Sequence, residues 1–181
     1  DKLLEIMMNF YSVQIDEVGD YVQLYEYTDD LAFQNGLLMS PKMYRDLIKP
    51  RHKQLIDFVK KKAPNAKFMY HSCGSIMELI PDLVDIGIDI LNPLQPLARG
   101  MDFDKMKREF GNDIVFQGGI DVQGTLRTDK ESIEKEVKLR MEQLSASGGY
   151  IIGPSHNIGL DVPTENVIHL YNAIQEYGKY S

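Results

Sequence analysis

Five short apolar segments, separated by stretches with helical spacing, constrain the fold of this chain more than any other feature. The segments cover residues 22–27, 67–71, 88–92, 114–117 and 150–153. Between them apolar residues recur every three or four positions, as at Ile133, Val137, Met141 and Leu144, which is the period of an α-helix. Strands that are apolar on both faces and linked by helices pair in parallel, because each helix returns the chain to the same end of the sheet. The sequence therefore predicts the α/β class.

Local signals mark several helix starts. Ser40 followed by Pro41 supplies an N-cap and a favoured first residue for a long helix, in which Pro50 is expected to cause a kink. Residues 75–78 and 128–131 have the capping-box pattern and predict two further helix starts.

The distribution of polar residues favours a barrel. They follow the strands in every unit, and no glycine-rich phosphate-binding motif follows any strand, so a (β/α)8 TIM-type barrel is favoured over a doubly wound sheet, which stays the alternative. Such barrels have eight strands in ~250 residues. Five strands in residues 1–181 predict a single domain that is the C-terminal part of an incomplete barrel. Because its open edges would be exposed, we also expect it to form homo-oligomers.

Charge and cysteine content limit the function classes. The net charge of −7 disfavours a nucleic-acid surface, which needs clustered Lys and Arg. A lone cysteine, Cys73, excludes an internal disulfide and fits the reducing cytoplasm. The chain contains no apolar run of 18 residues, so no membrane association is expected.

Three residues at the predicted strand ends have the chemistry of a zinc site. In a parallel barrel all strand C-termini open on one face, which brings His71, Cys73 and His156 to the same side of the molecule. Imidazole and thiolate are suitable donors for Zn²⁺, and catalytic zinc sites use three protein ligands. We therefore predict these three as ligands, with the thiol pKa of Cys73 lowered by a following helix N-terminus. The alternatives, an inert buried cysteine and an ordinary strand-end histidine, stay open.

Other polar side chains are expected on the same face. We predict catalytic roles for Asp29 and Asp121. The predicted substrate-binding residues are Tyr27, Asp30, Asn92, Gln117 and Asn157. For Asp29 and Asp30 a turn-capping role is an equal alternative, and Asn92 with Pro93 also fits a turn.

Several motifs together resemble a known family. They are Leu38-Met-Ser-Pro41, Tyr44-Arg45, Pro50-Arg-His52, His71-Ser-Cys-Gly74, Gly87-Ile-Asp-Ile-Leu-Asn92, Gln117-Gly-Gly-Ile-Asp121, Gly149-Tyr-Ile-Ile-Gly-Pro-Ser-His-Asn157 and Pro163-Thr-Glu-Asn166. From about Tyr21 to the last helix the chain resembles the uroporphyrinogen decarboxylase superfamily, particularly its corrinoid-dependent methyltransferase branch. The resemblance implies a (β/α)8 barrel of which this chain is the C-terminal portion.

The resemblance also implies a function. In the methyltransferase branch zinc is held by a His-x-Cys pair and a later Cys; the pair maps onto His71 and Cys73, whereas His156 stands at the later position. The implied activity is zinc-dependent transfer of a methyl group between a small-molecule donor or thiol and a corrinoid (cobalamin) carried on a partner protein. The alternatives are uroporphyrinogen decarboxylase, an enzyme of tetrapyrrole biosynthesis that works without a metal, and a non-catalytic corrinoid- or tetrapyrrole-binding module.

Overall fold

The protein is built around a parallel β-sheet in the computed structural model, which describes residues 1–180. In chain order the strands are β1 (Leu24–Thr28), β2 (Ala32–Phe33), β3 (Gly36–Leu37), β4 (Lys67–His71), β5 (Ile90–Leu94), β6 (Val115–Ile120) and β7 (Tyr150–Pro154). Strands β2 and β3 form a small antiparallel hairpin, and the others form one five-stranded sheet in the order β1-β4-β5-β6-β7. Every pair in that sheet is parallel. The predicted α/β class with five parallel strands is therefore confirmed.

Helices precede, connect and follow the strands of the sheet. They are α1 (Lys2–Val18), α2 (Pro41–Met43), α3 (Lys49–Lys62), α4 (Ile80–Asp85), α5 (Phe103–Phe110), α6 (Lys130–Leu144) and α7 (Thr164–Tyr177). Shorter turns of 3₁₀-helix cover Gly19–Tyr21, Met77–Leu79 and Thr125–Arg127, and a π-helical turn covers Tyr44–Ile48. Within the described residues, none of the helices has the length and apolar character that a bilayer span requires.

The helix starts agree with the sequence signals in part. Ser40 caps α2 by accepting a hydrogen bond from the Met43 amide at 3.2 Å, as predicted, and the π-helical turn interrupts the following helix two residues before Pro50. Both predicted capping boxes are wrong. The Ser75 hydroxyl donates to the Arg99 carbonyl instead of capping a helix, and the cap of α6 is Asp129, whose carboxylate accepts from the amide three residues on at 2.9 Å.

The hairpin was not predicted, because its two-residue strands are too short to show a period. The longer strands lie within three residues of the predicted segments at either end, and β4 coincides with its segment. The sequence pattern thus predicts the sheet but not the hairpin.

In β1 and β4, aromatic side chains face the helices and polar side chains lie on the opposite face. Tyr25 of β1 and Phe68 of β4 pack against Tyr11 of α1, with ring centroids 6.1 and 6.4 Å apart. Side chains alternate along a strand, so Glu26 and His71 face away from the helices. The face that would line a barrel interior therefore carries polar groups at the C-terminal ends of the strands.

Candidate metal centre at the strand ends

Three hydrogen bonds join the loop after β1 to the end of β4. They run from the Asp29 amide to the His71 carbonyl (3.0 Å), from the Leu31 amide to the Ser72 hydroxyl oxygen (2.9 Å), and from the Cys73 amide to Asp30 Oδ1 (2.8 Å). Ser72 is fully buried, so the middle bond is shielded from water. Because the bonds alternate along both segments, they fix the Asp30 carboxylate beside Cys73.

Gly74 allows the hairpin to pack on this loop. Its φ is +92°, in the left-handed region that favours glycine, and a Cβ at this position would lie 2.7 Å from the carbonyl oxygen of Phe33. That same oxygen accepts a hydrogen bond from the Ser75 amide at 3.1 Å. The backbone of β2 therefore touches the backbone of the Cys73 loop, and any side chain at Gly74 would separate them.

Asp30, His71 and Cys73 form a group with metal-ligand geometry. One ligand atom from each lies within 4.8 Å of the other two, and among residues 1–180 these are the three His, Cys, Asp or Glu residues with this geometry. We call them the metal group. Cys73 Sγ lies 3.6 Å from His71 Nε2. A tetrahedral zinc ion with Zn–S of about 2.3 Å and Zn–N of about 2.05 Å would hold these two atoms about 3.6 Å apart. The donor set of one sulfur, one nitrogen and one oxygen thus fits zinc with little rearrangement.

A row of amides fixes the orientation of the His71 ring. His71 Nδ1 faces Asn92 Oδ1 at 2.5 Å, and Asn92 Nδ2 donates to Gln117 Oε1 at 2.5 Å. A carbonyl oxygen only accepts, so Nδ1 carries the hydrogen and Nε2, which faces Cys73, keeps its lone pair. Hydrogen bonding of the far ring nitrogen is how proteins usually orient a metal-binding histidine. Asn92 and Gln117, two predicted substrate-binding residues, therefore lie beside the metal group.

The carboxylate of Glu26 also lies near the His71 ring, and the sequence did not predict this. Its Oε1 lies 3.7 Å from His71 Nδ1. The available signal was the alternation of Tyr25, Glu26 and Tyr27, which puts the carboxylate on the face opposite the two aromatic rings.

The thiol of Cys73 differs from the expectation. Burial and the neighbouring Asp30 carboxylate raise its pKa, and a hydrogen bond with Gln95 offsets only part of this rise. The predicted lowering of the pKa was wrong because the residues after Cys73 do not begin an α-helix: a 3₁₀ turn starts at Met77 and helix α4 only at Ile80. A bound divalent cation would favour the thiolate again, because its charge outweighs that of one carboxylate.

The structure differs from the predicted ligand set at one position. His156 lies in the loop after β7 with an exposed side chain and does not belong to the group formed by Asp30, His71 and Cys73. Asn157, a predicted substrate-binding residue, is exposed beside it. Asp30, predicted to bind substrate, supplies the third ligand atom in the group.

Three other predicted residues have contacts away from this group. Asp29 Oδ2 lies 3.0 Å from His52 Nε2 of α3, and the Tyr27 ring packs 5.5 Å from the same imidazole, because alternation turns both side chains toward the helices. The Asp121 carboxylate accepts from the amides of Gln123 at 2.8 Å and Thr125 at 3.1 Å, which organises the loop after β6. Catalytic roles for Asp29 and Asp121, and a substrate contact for Tyr27, stay predictions.

Comparisons with known proteins agree with this architecture. The family model described as uroporphyrinogen decarboxylase (URO-D) matches residues 1–177. The chain is 27% identical over 172 residues to uroporphyrinogen decarboxylase of Hordeum vulgare, covering 94% of this chain and 47% of that protein. It is 27% identical over 177 residues to uroporphyrinogen decarboxylase of Trichodesmium erythraeum, covering 97% of this chain and 46% of that protein. The chain thus spans about half the length of these curated relatives.

A solved structure gives the same result for the fold. A methyltransferase from Methanosarcina mazei superposes with a TM-score of 0.75 at 22% identity, covering 97% of this chain and 48% of that one. At this identity the likeness shows a shared fold. It agrees with the predicted membership of a barrel-type α/β class.

Proposed function

The chain belongs to the uroporphyrinogen decarboxylase family, an enzyme family, and on that premise we propose that it supplies the zinc site of a methyltransferase acting between a small-molecule methyl donor or thiol and a corrinoid carrier. The observation that carries the proposal is the separation of 3.6 Å between Cys73 Sγ and His71 Nε2, with a carboxylate oxygen of Asp30 in the same group. That separation is the one a tetrahedral zinc ion would impose on a sulfur and a nitrogen ligand.

The residues of the site have different roles in the proposed reaction. Asp30, His71 and Cys73 would hold the ion and leave a fourth position open, since catalytic zinc sites use three protein ligands. Bound zinc would stabilise a substrate thiolate or polarise a methyl-bearing ether oxygen. Asn92 holds the proton on His71 Nδ1 and so keeps Nε2 available as a ligand. Asp30 is exposed, so the site is open to a substrate from the strand-end side.

Apolar side chains around the site support a large partner. Phe33 lies in the β2–β3 hairpin, and Leu38, Leu97 and Leu160 lie in the connections that follow β3, β5 and β7; each is more than half exposed. Exposed apolar groups grouped at one end of a molecule are typical of binding surfaces. They suit the face of a corrinoid macrocycle or the surface of the protein that carries it.

A second candidate is uroporphyrinogen decarboxylase itself. The curated relatives bear that name at 27% identity over almost the whole chain, which favours this candidate as directly as the family match does. Porphyrinogen decarboxylation makes no use of a thiol and a metal at the end of β4. The state of Cys73 therefore separates the two functions.

The test assays both reactions on the purified protein, with zinc added or removed by a chelator. One assay follows transfer of the methyl group from methylcobalamin to a small thiol, which yields a thioether, cob(I)alamin and the thiol proton. The other follows release of carbon dioxide from uroporphyrinogen. We expect zinc-dependent methyl transfer that is lost in Cys73→Ala and kept in His169→Ala, whose histidine pairs with Glu134 of α6 at 3.0 Å, outside the metal group. Decarboxylation that needs no metal and persists in Cys73→Ala would refute the proposal.

A further inference from the structure

His52 lies on the helix side of the sheet, yet it is hydrogen-bonded to Asp29, the residue before Asp30 of the metal group. Its side chain is 5% exposed, its Nε2 lies 3.0 Å from Asp29 Oδ2, and its Nδ1 lies 3.4 Å from the hydroxyls of both Tyr44 and Tyr70. Burial raises the pKa of both phenols, so both stay protonated donors.

The hydrogens of this cluster can be assigned from its contacts. The Tyr70 hydroxyl donates to the Asp29 carbonyl at 3.2 Å, which leaves the Tyr44 hydroxyl to donate to His52 Nδ1. His52 Nε2 then carries the ring hydrogen and donates it to the Asp29 carboxylate. Every polar atom of the buried imidazole has a partner, and its hydrogen bond is directed at one residue of the loop after β1.

Asp29 is consequently held at three points. Its carboxylate accepts from His52, its carbonyl accepts from Tyr70, and its amide donates to the His71 carbonyl at 3.0 Å. The next residue, Asp30, presents the carboxylate that accepts from the Cys73 amide and belongs to the metal group. One peptide unit therefore separates the anchor on the helix side from the ligand oxygen on the inner side.

We infer that His52 is a positioning residue for the metal centre: by holding Asp29 on the helix side of β1, it fixes the Asp30 carboxylate opposite His71 and Cys73. The inference rests on the proposed function in taking that group as a metal site. Without the imidazole, the Asp29 carboxylate, which is 43% exposed, would be solvated by water instead. The loop would then sample orientations in which Asp30 points away from the other two ligand atoms.

The experiment titrates the purified protein with Co²⁺, which replaces zinc and gives a charge-transfer absorption when bound to a thiolate. His52→Phe keeps a ring of similar size and removes both nitrogens. Asp29→Ala breaks the same contact from the more exposed side, and Asp29→Asn keeps an oxygen that accepts from His52. We expect His52→Phe and Asp29→Ala to weaken Co²⁺ binding about tenfold, at the lower end of the effect of residues that orient metal ligands, and Asp29→Asn to stay within about twofold.

Two controls separate positioning from general damage. His169→Phe makes the same substitution at a histidine that pairs with Glu134 between α7 and α6, and we expect it to bind Co²⁺ like the unmodified protein. The midpoint of thermal unfolding is measured for every variant. If His52→Phe does not fold, Asp29→Ala against Asp29→Asn makes the same comparison at a position that tolerates solvent.

A metal-free measurement keeps the inference testable by itself. Alkylation of Cys73 by iodoacetamide should be several-fold faster in His52→Phe and Asp29→Ala than in His169→Phe, because the bond between Asp30 and the Cys73 amide would be loosened. Absence of the cobalt–thiolate absorption in the unmodified protein would end the zinc proposal, while the alkylation rates would still decide the role of His52. Co²⁺ affinity and alkylation rates unchanged in both His52→Phe and Asp29→Ala would overturn the inference.

Discussion

The loops after β4 and β7 have similar sequence features but different contacts. Each follows a strand of the same parallel sheet, contains a buried serine (Ser72 or Ser155), and lies next to a histidine predicted to bind zinc. The first loop is joined to the loop after β1 by alternating hydrogen bonds, and its histidine is oriented by Asn92. In the second loop His156 is exposed and lies outside the metal group. Parallel topology brings strand ends to one face, but bonds between neighbouring loops decide which side chains meet at a point.

The largest difference between the two loops is expected when the two histidines are removed separately. If His71 binds zinc as proposed, His71→Ala should weaken zinc binding by more than about a hundredfold, beyond the effect of residues that merely orient a ligand. His156→Ala should change zinc affinity by less than about threefold if the loop after β7 stays apart from the group. Zinc affinity measured by competition with a chelator checks both, and equal losses would mean that His156 reaches the ion after all.

Glycine substitutions test how tightly each loop is packed. Gly74→Ala should destabilise the protein by about 3 kcal/mol, because the residue has positive φ and its Cβ would lie 2.7 Å from the backbone of Phe33. Gly153→Ala at the end of β7 should change the free energy of unfolding by less than about 0.5 kcal/mol, because a Cβ there meets no atom within 4 Å. Denaturant unfolding measures both values. A small loss for Gly74→Ala would show that the hairpin is free to move off the loop.

The sequence predicted the sheet and the edge of it at which the candidate site residues lie. It located His71, Cys73, Asn92 and Gln117 at strand ends, and the structure brings these four together. Strand periodicity and parallel connections are local or topological signals, which a pattern can reveal. The position of a residue along its strand was therefore predictable wherever that strand was long and apolar.

Contacts between loops were not predictable in the same way. The bond from the Cys73 amide to Asp30 joins residues 43 positions apart, and no periodicity encodes it. For this reason Asp30 was assigned to substrate, and the pKa of Cys73 was predicted in the wrong direction. Asp29 and Tyr27 were placed at the site because they lie near a strand end, whereas alternation along β1 turns them toward His52.

Substitution of the two buried serines tests the same difference at matched positions in the two loops. Ser72→Ala should destabilise the protein by about 2 kcal/mol, because it removes the acceptor of the Leu31 amide and leaves that amide buried without a partner. Ser155 is similarly buried, but the hydrogen bonds described for it use its backbone, including one from its amide to the Ile120 carbonyl at 2.8 Å. Ser155→Ala should therefore cost less than about 0.5 kcal/mol. Equal losses in denaturant unfolding would contradict the proposed difference between the loops.

The smallest expected effect concerns the ion pair that links the loop after β7 to the loop after β6. Arg127 Nη2 lies 2.8 Å from Asp161 Oδ2, with the side chains 43% and 53% exposed. Exposed pairs contribute little because water and salt screen them, so Arg127→Ala should lower the free energy of unfolding by less than about 1 kcal/mol, and by less again at high salt. The buried pair of Arg140 and Glu136, at 2.9 Å, provides the contrast, because removing Arg140 leaves a carboxylate in the protein interior. A loss for Arg127→Ala that equals the loss for Arg140→Ala and does not change with salt would mean that this exposed pair holds the loop after β7 as firmly as a buried pair would, against the weaker anchoring expected for that loop.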